Sequence, residues 1–166
     1  MSEHPRLEAG QLLLALRRAE VRFVLIGGLA AQVRGSPSLT FDVDVCFDLD
    51  RDNLDRLAGA LVDLVAIRRD MPDDVLAPID ARALRAGDVF TLRTRLGDLD
   101  LLAHPAPAFD YGTLAAHATR VEIQGVDVLV ASLDDLMAMK RAAGRPKDRI
   151  ELEILGALRE EIDRRD

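Results

Sequence analysis

The segment 41–47, FDVDVCF, has the most restrictive pattern in this sequence because it alternates strictly between two kinds of side chain. Successive side chains of a β-strand point to opposite faces of a sheet, so the alternation predicts a strand with one apolar and one acidic face. The apolar face carries Phe41, Val43, Val45 and Phe47, and the other carries Asp42, Asp44 and Cys46. Residues two apart on a strand are roughly 7 Å apart. The two carboxylates therefore project side by side from one strand.

Segments typical of strands and of helices surround this strand. VRFVLIGG is rich in Val, Ile and Phe and predicts a buried strand ended by Gly27 and Gly28, and LAAQVRG predicts a short helix closed by Gly35. Helical periodicity predicts an N-terminal helix over about 7–20 and an amphipathic helix over 52–65. VFTLRTRLGDLDLL predicts two strands that meet near Gly97, or one bent strand.

The C-terminal third continues this mixture. Residues 111–118 predict a helix, and TRVEIQGVDVLVA predicts a hairpin that turns at Gln124-Gly125 or just after. Ser132 is a strong N-cap candidate for the helix LDDLMAMKRAAG, which Gly144 closes. Asp148 caps or opens a last helix that runs to about residue 164. Because strands and helices mix, the predicted fold class is α/β (α+β), with a mixed sheet flanked by helices and a C-terminal helical segment.

Length and composition predict one globular domain. The chain has 166 residues, 49% of them apolar and 31% charged, which is typical of a single compact domain. We expect a single domain over 1–166, with an α/β core over about 1–110 and a hairpin and C-terminal helices over about 111–166 packed on it. The single cysteine, Cys46, excludes an internal disulfide.

Charge and hydropathy narrow the class of protein. The net charge of −7 argues against a protein that coats nucleic acid non-specifically, which needs many cations, but leaves room for a local basic patch. No apolar run approaches the roughly 20 residues needed to span a bilayer. Residues 1–8 lack the pattern of a signal peptide. We therefore expect a cytoplasmic protein without a membrane partner.

The paired carboxylates suggest a site for a divalent cation. Two anions side by side on a strand repel each other, and a cation between them reverses that penalty. Carboxylate oxygens suit Mg²⁺ or Mn²⁺, and two such ions about 3.5–4 Å apart can activate a hydroxyl and neutralise a pyrophosphate leaving group. Gly27 and Gly28 would let backbone N–H groups approach phosphates closely. Taken alone, Asp42 and Asp44 fit an edge strand with a hydrated acidic face better than a metal site.

Two segments resemble a known enzyme superfamily. GGLAAQVRGSPSLTFDVDV is similar to the signature of polymerase-β-type nucleotidyltransferases and, more narrowly, of AbiEii-like and MenT-like toxin nucleotidyltransferases and their small relatives. SLDDLMAMKRAAGRPKDRIELEIL resembles the pattern of that branch, in which a helix carries Lys and a basic residue followed by Asp opens the next helix. The resemblance implies the nucleotidyltransferase fold.

The resemblance also implies roles for individual residues. Asp42 and Asp44 would bind Mg²⁺ or Mn²⁺, and Thr40 would lie near the nucleotide phosphates. Lys140 would reach the triphosphate of an NTP, and Asp148 would lie close to the site. The sequence departs from close relatives at position 38, where Ser38 stands in place of a frequent Arg.

Several cations crowd the segment around Lys140. They are Lys140, Arg141, Arg145, Lys147 and Arg149. Cations near a helix C-terminus are ordinary because they interact favourably with the helix dipole. Beside an acidic metal site, however, Lys140 and Arg145 become candidate clamps for a triphosphate, and the remaining cations could meet an RNA backbone.

The superfamily usually takes a third carboxylate from a later strand, and GDLDLL offers two. Asp98 and Asp100 share a face by parity. Asp100, followed by two leucines, matches the usual pattern better, whereas Asp98 fits a solvated residue where the strand begins. We predict Asp100 as the third metal ligand, with Asp98 as the alternative.

The resulting function hypothesis is metal-dependent transfer of a nucleoside monophosphate from an NTP to an acceptor. In the toxin relatives the acceptor can be a tRNA end or another RNA, and an antitoxin protein is the expected partner. The alternative is a catalytically inactive nucleotide-binding or regulatory module on the same fold. A third possibility is an acidic structural domain that binds a partner protein and shows no response to metal.

Overall fold

The computed structural model describes residues 5–72 and 78–166. The rest of the chain lies outside the described residues, including residues 1–4 of the N-terminal segment for which we predicted no signal peptide. The strands are β1 (Phe23–Ile26), β2 (Asp42–Phe47), β3 (Ile67–Arg68), β4 (Val89–Thr94), β5 (Gly97–Leu102), β6 (Thr119–Ile123) and β7 (Val126–Val130). The helices are α1 (Ala9–Arg18), α2 (Gly27–Val33), α3 (Arg51–Asp63), α4 (Ala81–Ala86), α5 (Tyr111–His117), α6 (Leu133–Ala143) and α7 (Pro146–Arg165).

All the described strands form one mixed sheet in the order β3-β4-β5-β2-β1-β7-β6. The central strand β2 runs antiparallel to β1 and parallel to β5. β1 runs parallel to β7, while β4–β5 and β6–β7 are antiparallel pairs. The predicted α/β class with a mixed sheet and a C-terminal helical segment is therefore confirmed.

Burial explains which face of β2 carries the acidic residues. Val43, Val45 and Phe47 are buried in the same core as leucines of α1 and α3, including Leu12 and Leu54. Burying each such side chain contributes about 1.5–3 kcal/mol, which fixes the register of the strand, because a slip of one residue would put carboxylates into the core. Packing of the apolar face thus holds Asp42 and Asp44 away from that core, whereas Cys46 on their face is itself buried in it.

The structure refines two predictions about the ends of strands. Gly27 and Gly28 form the first turn of α2 instead of a separate turn after β1. The segment 89–102 forms two antiparallel strands, the first of the two predicted possibilities, and Gly97 at their junction has a φ of +116°.

The predicted ends of the C-terminal elements agree closely with the structure. The Ser132 hydroxyl accepts a hydrogen bond of 3.1 Å from the backbone N–H of Asp135, so the predicted N-cap of α6 is confirmed. Gly144 ends that helix with a φ of +64°. The last helix begins at Pro146, which places Asp148 in its first turn. No helix in the described ranges is long and apolar enough to cross a bilayer.

Candidate active site

Three carboxylates meet where β2 and β5 run side by side. The parallel register pairs Asp42 with Asp98 and Asp44 with Asp100. One oxygen from each of Asp42, Asp44 and Asp100 lies within 4.8 Å of the other two. These three residues are the carboxylate trio. Asp98 is absent from that cluster in the described part of the chain, and its carboxylate instead pairs with Arg69 at 2.7 Å.

The three carboxylates of the trio repel one another when they are ionised. Burial, followed by the charges of Asp42 and Asp100, raises the pKa of Asp44 to about 8. Burial also raises the pKa of Asp100, although the nearby Arg69 opposes that shift. Carboxylates this close cannot all ionise at low cost, and a divalent cation among them removes the conflict. An all-oxygen donor set of this kind fits Mg²⁺ or Mn²⁺.

The glycines at the start of α2 lie directly against the carboxylate trio. Gly27 has a φ of +70°, and a Cβ built there would overlap the Asp44 carboxylate. A Cβ on Gly28 would come within 2.9 Å of the Thr40 side chain. The Thr40 hydroxyl donates a hydrogen bond of 3.2 Å to Asp42 Oδ1. The two glycines therefore provide the space that the carboxylates and Thr40 occupy.

A buried carboxylate organises the cations on the helical side of the site. The side chain of Asp148 has no solvent exposure, and its oxygens lie 2.7 Å from Arg145 Nε and 3.3 Å from Lys140 Nζ. Asp148 Oδ2 also accepts a hydrogen bond of 3.1 Å from the backbone N–H of Arg145. These contacts, with the Arg145 side chain contributing most, lower the pKa of Asp148 to about 2. Asp148 is thus an anion whose role here is to hold Lys140 and Arg145.

Asp148→Asn is expected to lower the free energy of unfolding at pH 7 by about 2 kcal/mol. The folded-state pKa of about 2 lies below the unfolded value of about 3.9, so the ionised side chain stabilises the fold above the unfolded pKa. That contribution is lost as the pH falls through the folded pKa, and about half of it remains at pH 3. Urea unfolding of both proteins at pH 7 and pH 3 measures the difference.

Asp163→Asn is the matched control for that experiment. Asp163 lies on the same helix α7, with a side chain that is 60% exposed, and exposed ion pairs contribute little. The control should stay within about 0.5 kcal/mol of wild type at both pH values. A difference between wild type and Asp148→Asn that is the same at pH 7 and pH 3 would contradict the assigned charge.

All the sequence-predicted site residues line one cavity of about 420 Å³. They are Asp42, Asp44, Asp100, Lys140, Asp148, Gly27, Gly28, Thr40 and Arg145. Lys147 of the cationic segment lines the cavity too, but Arg141 and Arg149 are exposed outside it. Residues that are more than 100 positions apart in the sequence therefore converge on a single space.

Sequence reasoning missed two polar residues of the site. Arg69 contacts Asp98 and Asp100, and it follows the two-residue strand β3, in a segment without readable periodicity. Glu151 lines the cavity and accepts a hydrogen bond of 2.6 Å from the Ser38 hydroxyl. Ser38, the position that departs from the toxin pattern, thus faces an acidic partner. No sequence motif indicated either contact.

Several solved structures resemble this one over most of its length. The lincosamide antibiotic adenylyltransferase LnuA, with lincomycin bound, aligns with a TM-score of 0.58 at 14% identity, over 92% of this chain and 99% of that chain. A putative nucleotidyltransferase, TM1012 from Thermotoga maritima, gives 0.55 at 15% identity, over 93% and 89%. The antibiotic-resistance factor ANT(2'')-Ia gives 0.52 at 16% identity, over 93% and 89%. This chain has the nucleotidyltransferase fold.

That result confirms the fold implied by the sequence resemblance. The similarity at 14–16% identity establishes the fold alone. No protein-family model and no curated protein match the sequence. Assignment of a reaction to this nucleotidyltransferase fold therefore depends on the geometry of the cavity.

Proposed function

We propose that this protein is a metal-dependent nucleotidyltransferase that moves a nucleoside monophosphate from an NTP to an acceptor hydroxyl and releases pyrophosphate. The observation that carries the proposal is the carboxylate trio, whose oxygens lie within 4.8 Å of one another in the cavity that Lys140 also lines. The alternative of an inactive module on this fold predicts a displaced third carboxylate. The position of Asp100 beside Asp44 favours the active enzyme.

The two sides of the cavity suggest how an NTP and an acceptor would be placed. Gly27, Gly28 and Thr40 line the cavity beside the carboxylates, and Lys140 and Arg145 in the same lining supply positive charge for the phosphates. Asp42, Asp44 and Asp100 would hold the divalent cations. Bound Mg²⁺ or Mn²⁺ would neutralise charge on the triphosphate and lower the pKa of the acceptor hydroxyl.

The chemical step needs one proton acceptor. The acceptor oxygen forms a bond to the α-phosphorus while the bond from that phosphorus to the pyrophosphate oxygen breaks. The hydroxyl proton would pass to Asp100, the carboxylate on the β5 side of the trio. Lys140 and Arg145 would hold the departing pyrophosphate by charge-assisted hydrogen bonds.

Two observations favour different acceptor classes. The toxin-like segments imply an RNA such as a tRNA end, together with an antitoxin protein as partner. The solved neighbours include an adenylyltransferase with lincomycin bound, and the apolar side chains of Val89, Leu102 and Pro105 line the cavity near Asp100. These features favour a small hydroxyl compound as the second candidate acceptor.

The test is transfer of label from each NTP, labelled at the α-phosphate, in the presence of Mg²⁺. One arm contains total tRNA and the other a panel of hydroxylated antibiotics, with Asp42→Ala, Asp44→Ala and the exposed control Asp163→Asn run in parallel. We expect transfer by wild type and by the control, and none by the two site variants. Transfer that survives both site substitutions would overturn the mechanism.

Absence of transfer is also informative. NTP binding that depends on Mg²⁺ but gives no product with either acceptor class would identify the inactive nucleotide-binding module. Absence of both binding and transfer would identify the acidic structural domain. Each of these results contradicts the proposed reaction.

A further inference from the structure

Arg69 lies beside the carboxylate trio because of backbone pairing at the edge of the sheet. Its backbone N–H donates a hydrogen bond of 2.9 Å to the carbonyl of Thr91 on β4. Thr91 is the register partner of Asp100 on β5. Arg69, Thr91 and Asp100 therefore form a row across three neighbouring segments, and the arginine side chain can reach the third carboxylate without a long loop.

The guanidinium of Arg69 holds two carboxylates at once. Nη1 lies 2.7 Å from Asp98 Oδ2, and Nη2 lies 2.5 Å from Asp100 Oδ1. The Arg69 side chain is 23% exposed and that of Asp100 is 19% exposed, so water screens this contact less than it screens a surface pair. The planar, forked donor set of arginine suits such a double contact, which the ammonium of a lysine would reproduce only as a point charge.

This contact distinguishes Asp100 from the rest of the trio. Asp42 accepts a hydrogen bond from Thr40, and among the described residues neither Asp42 nor Asp44 forms an ion pair. Arg69 therefore has two effects on the site. It fixes the orientation of Asp100, and it offsets part of the negative charge that would attract a divalent cation.

We propose that Arg69 is a positioning residue that orients Asp100 for proton transfer and lowers the affinity of the carboxylate trio for a divalent cation. The inference rests on the proposed function, because it assigns a role to Asp100 in that reaction. It predicts opposite effects on binding and rate when Arg69 loses its charge. A residue needed only for folding would weaken both.

The test compares Arg69→Met, Arg69→Lys and wild type by Mn²⁺ binding, followed by electron paramagnetic resonance of free Mn²⁺, and by the rate of nucleotide transfer. Arg69→Met should bind Mn²⁺ about 3- to 10-fold more tightly, because one positive charge close to the ion is removed. Its kcat should fall by about 10- to 100-fold, because Asp100 is no longer held in position. Arg69→Lys should restore the wild-type Mn²⁺ affinity and only part of the rate.

Arg82→Met is the matched control, since Arg82 is an exposed residue of helix α4 and its substitution makes the same change in net charge. It should leave both Mn²⁺ affinity and transfer rate within about twofold of wild type. Unchanged or weaker Mn²⁺ binding by Arg69→Met would overturn the role of Arg69 while leaving the proposed function intact. Absence of Mn²⁺ binding by wild type would instead overturn the proposed function itself.

Discussion

Asp44→Asn is expected to abolish nucleotide transfer and, at the same time, to make the protein more stable when no divalent cation is present. Burial and the neighbouring charges of Asp42 and Asp100 raise the pKa of Asp44 to about 8. An amide has nearly the same shape and cannot ionise, so the cost that burial and the charges of Asp42 and Asp100 place on an ionised Asp44 disappears. We expect the free energy of unfolding at pH 7 to rise by about 1–2 kcal/mol, the size of gain seen when a strained functional site is relaxed.

The sign of the pH dependence follows from the raised pKa. Below about pH 3 the carboxyl is protonated in both the folded and the unfolded chain, so wild type and Asp44→Asn should have similar stability. Between pH 4 and pH 8 the unfolded carboxyl ionises more readily than the folded one, and wild type loses stability relative to the variant. Thermal unfolding with EDTA across this range measures the effect.

The loss of function in Asp44→Asn should be large. If the proposed metal site is right, replacing one of its three carboxylates by a neutral amide should lower the transfer rate by roughly 10³-fold or more and abolish any stabilisation of the protein by Mg²⁺. Asp127→Asn, an exposed aspartate on strand β7, is the control and should change neither property. If Asp44→Asn transfers label normally, or is less stable than wild type in EDTA, the result would contradict the assignment of Asp44 to a metal site.

The parts of the site that could be predicted from sequence depend on local patterns. The alternation around Asp42 and Asp44 fixes which side chains share a face, because the period of a strand is two residues. The same parity placed Asp98 and Asp100 on one face of a later strand. The family pattern favoured Asp100 of these two residues, and in the structure Asp100 clusters with Asp42 and Asp44 whereas Asp98 pairs with Arg69.

The parts that could not be predicted depend on contacts between distant segments. Arg69 follows a strand of only two residues, too short to show any periodicity, and its contact with Asp100 arises from pairing with β4. Gly27 and Gly28 were expected in a separate turn, but β1 passes directly into α2 at Gly27, which adopts a φ of +70°. The sequence alone indicates that the glycine pair ends the strand. Only the structure shows that the Asp44 carboxylate leaves no space for a side chain at Gly27.

Gly27→Ala adds a single methyl group, and we expect it to damage the site severely. The added Cβ would overlap the Asp44 carboxylate, and the φ of +70° would strain an L-residue even in open space. The free energy of unfolding should fall by about 1–3 kcal/mol. Displacement of Asp44 should also lower the transfer rate by about 100-fold or more, since small misplacements at a reacting centre have effects of that size.

Gly59→Ala is the control that makes this result specific. Gly59 lies inside helix α3, and a Cβ there meets no atom within 4 Å. Alanine is the better helix former, so this variant should gain about 0.5–1 kcal/mol and keep full activity. Equal behaviour of Gly27→Ala and Gly59→Ala would contradict the close packing of α2 against the carboxylate trio.

The double variant Gly27→Ala/Asp44→Ala separates the overlap from the backbone strain. Removing the Asp44 carboxylate gives the new methyl group space, so the overlap contribution should disappear, whereas the strain from the positive φ should remain. The double variant should therefore be more stable than Gly27→Ala but less stable than Asp44→Ala. A purely additive result, measured by urea unfolding, would show that the two residues are not in contact. Positive coupling would identify Gly27 as the residue whose missing side chain makes room for the Asp44 carboxylate.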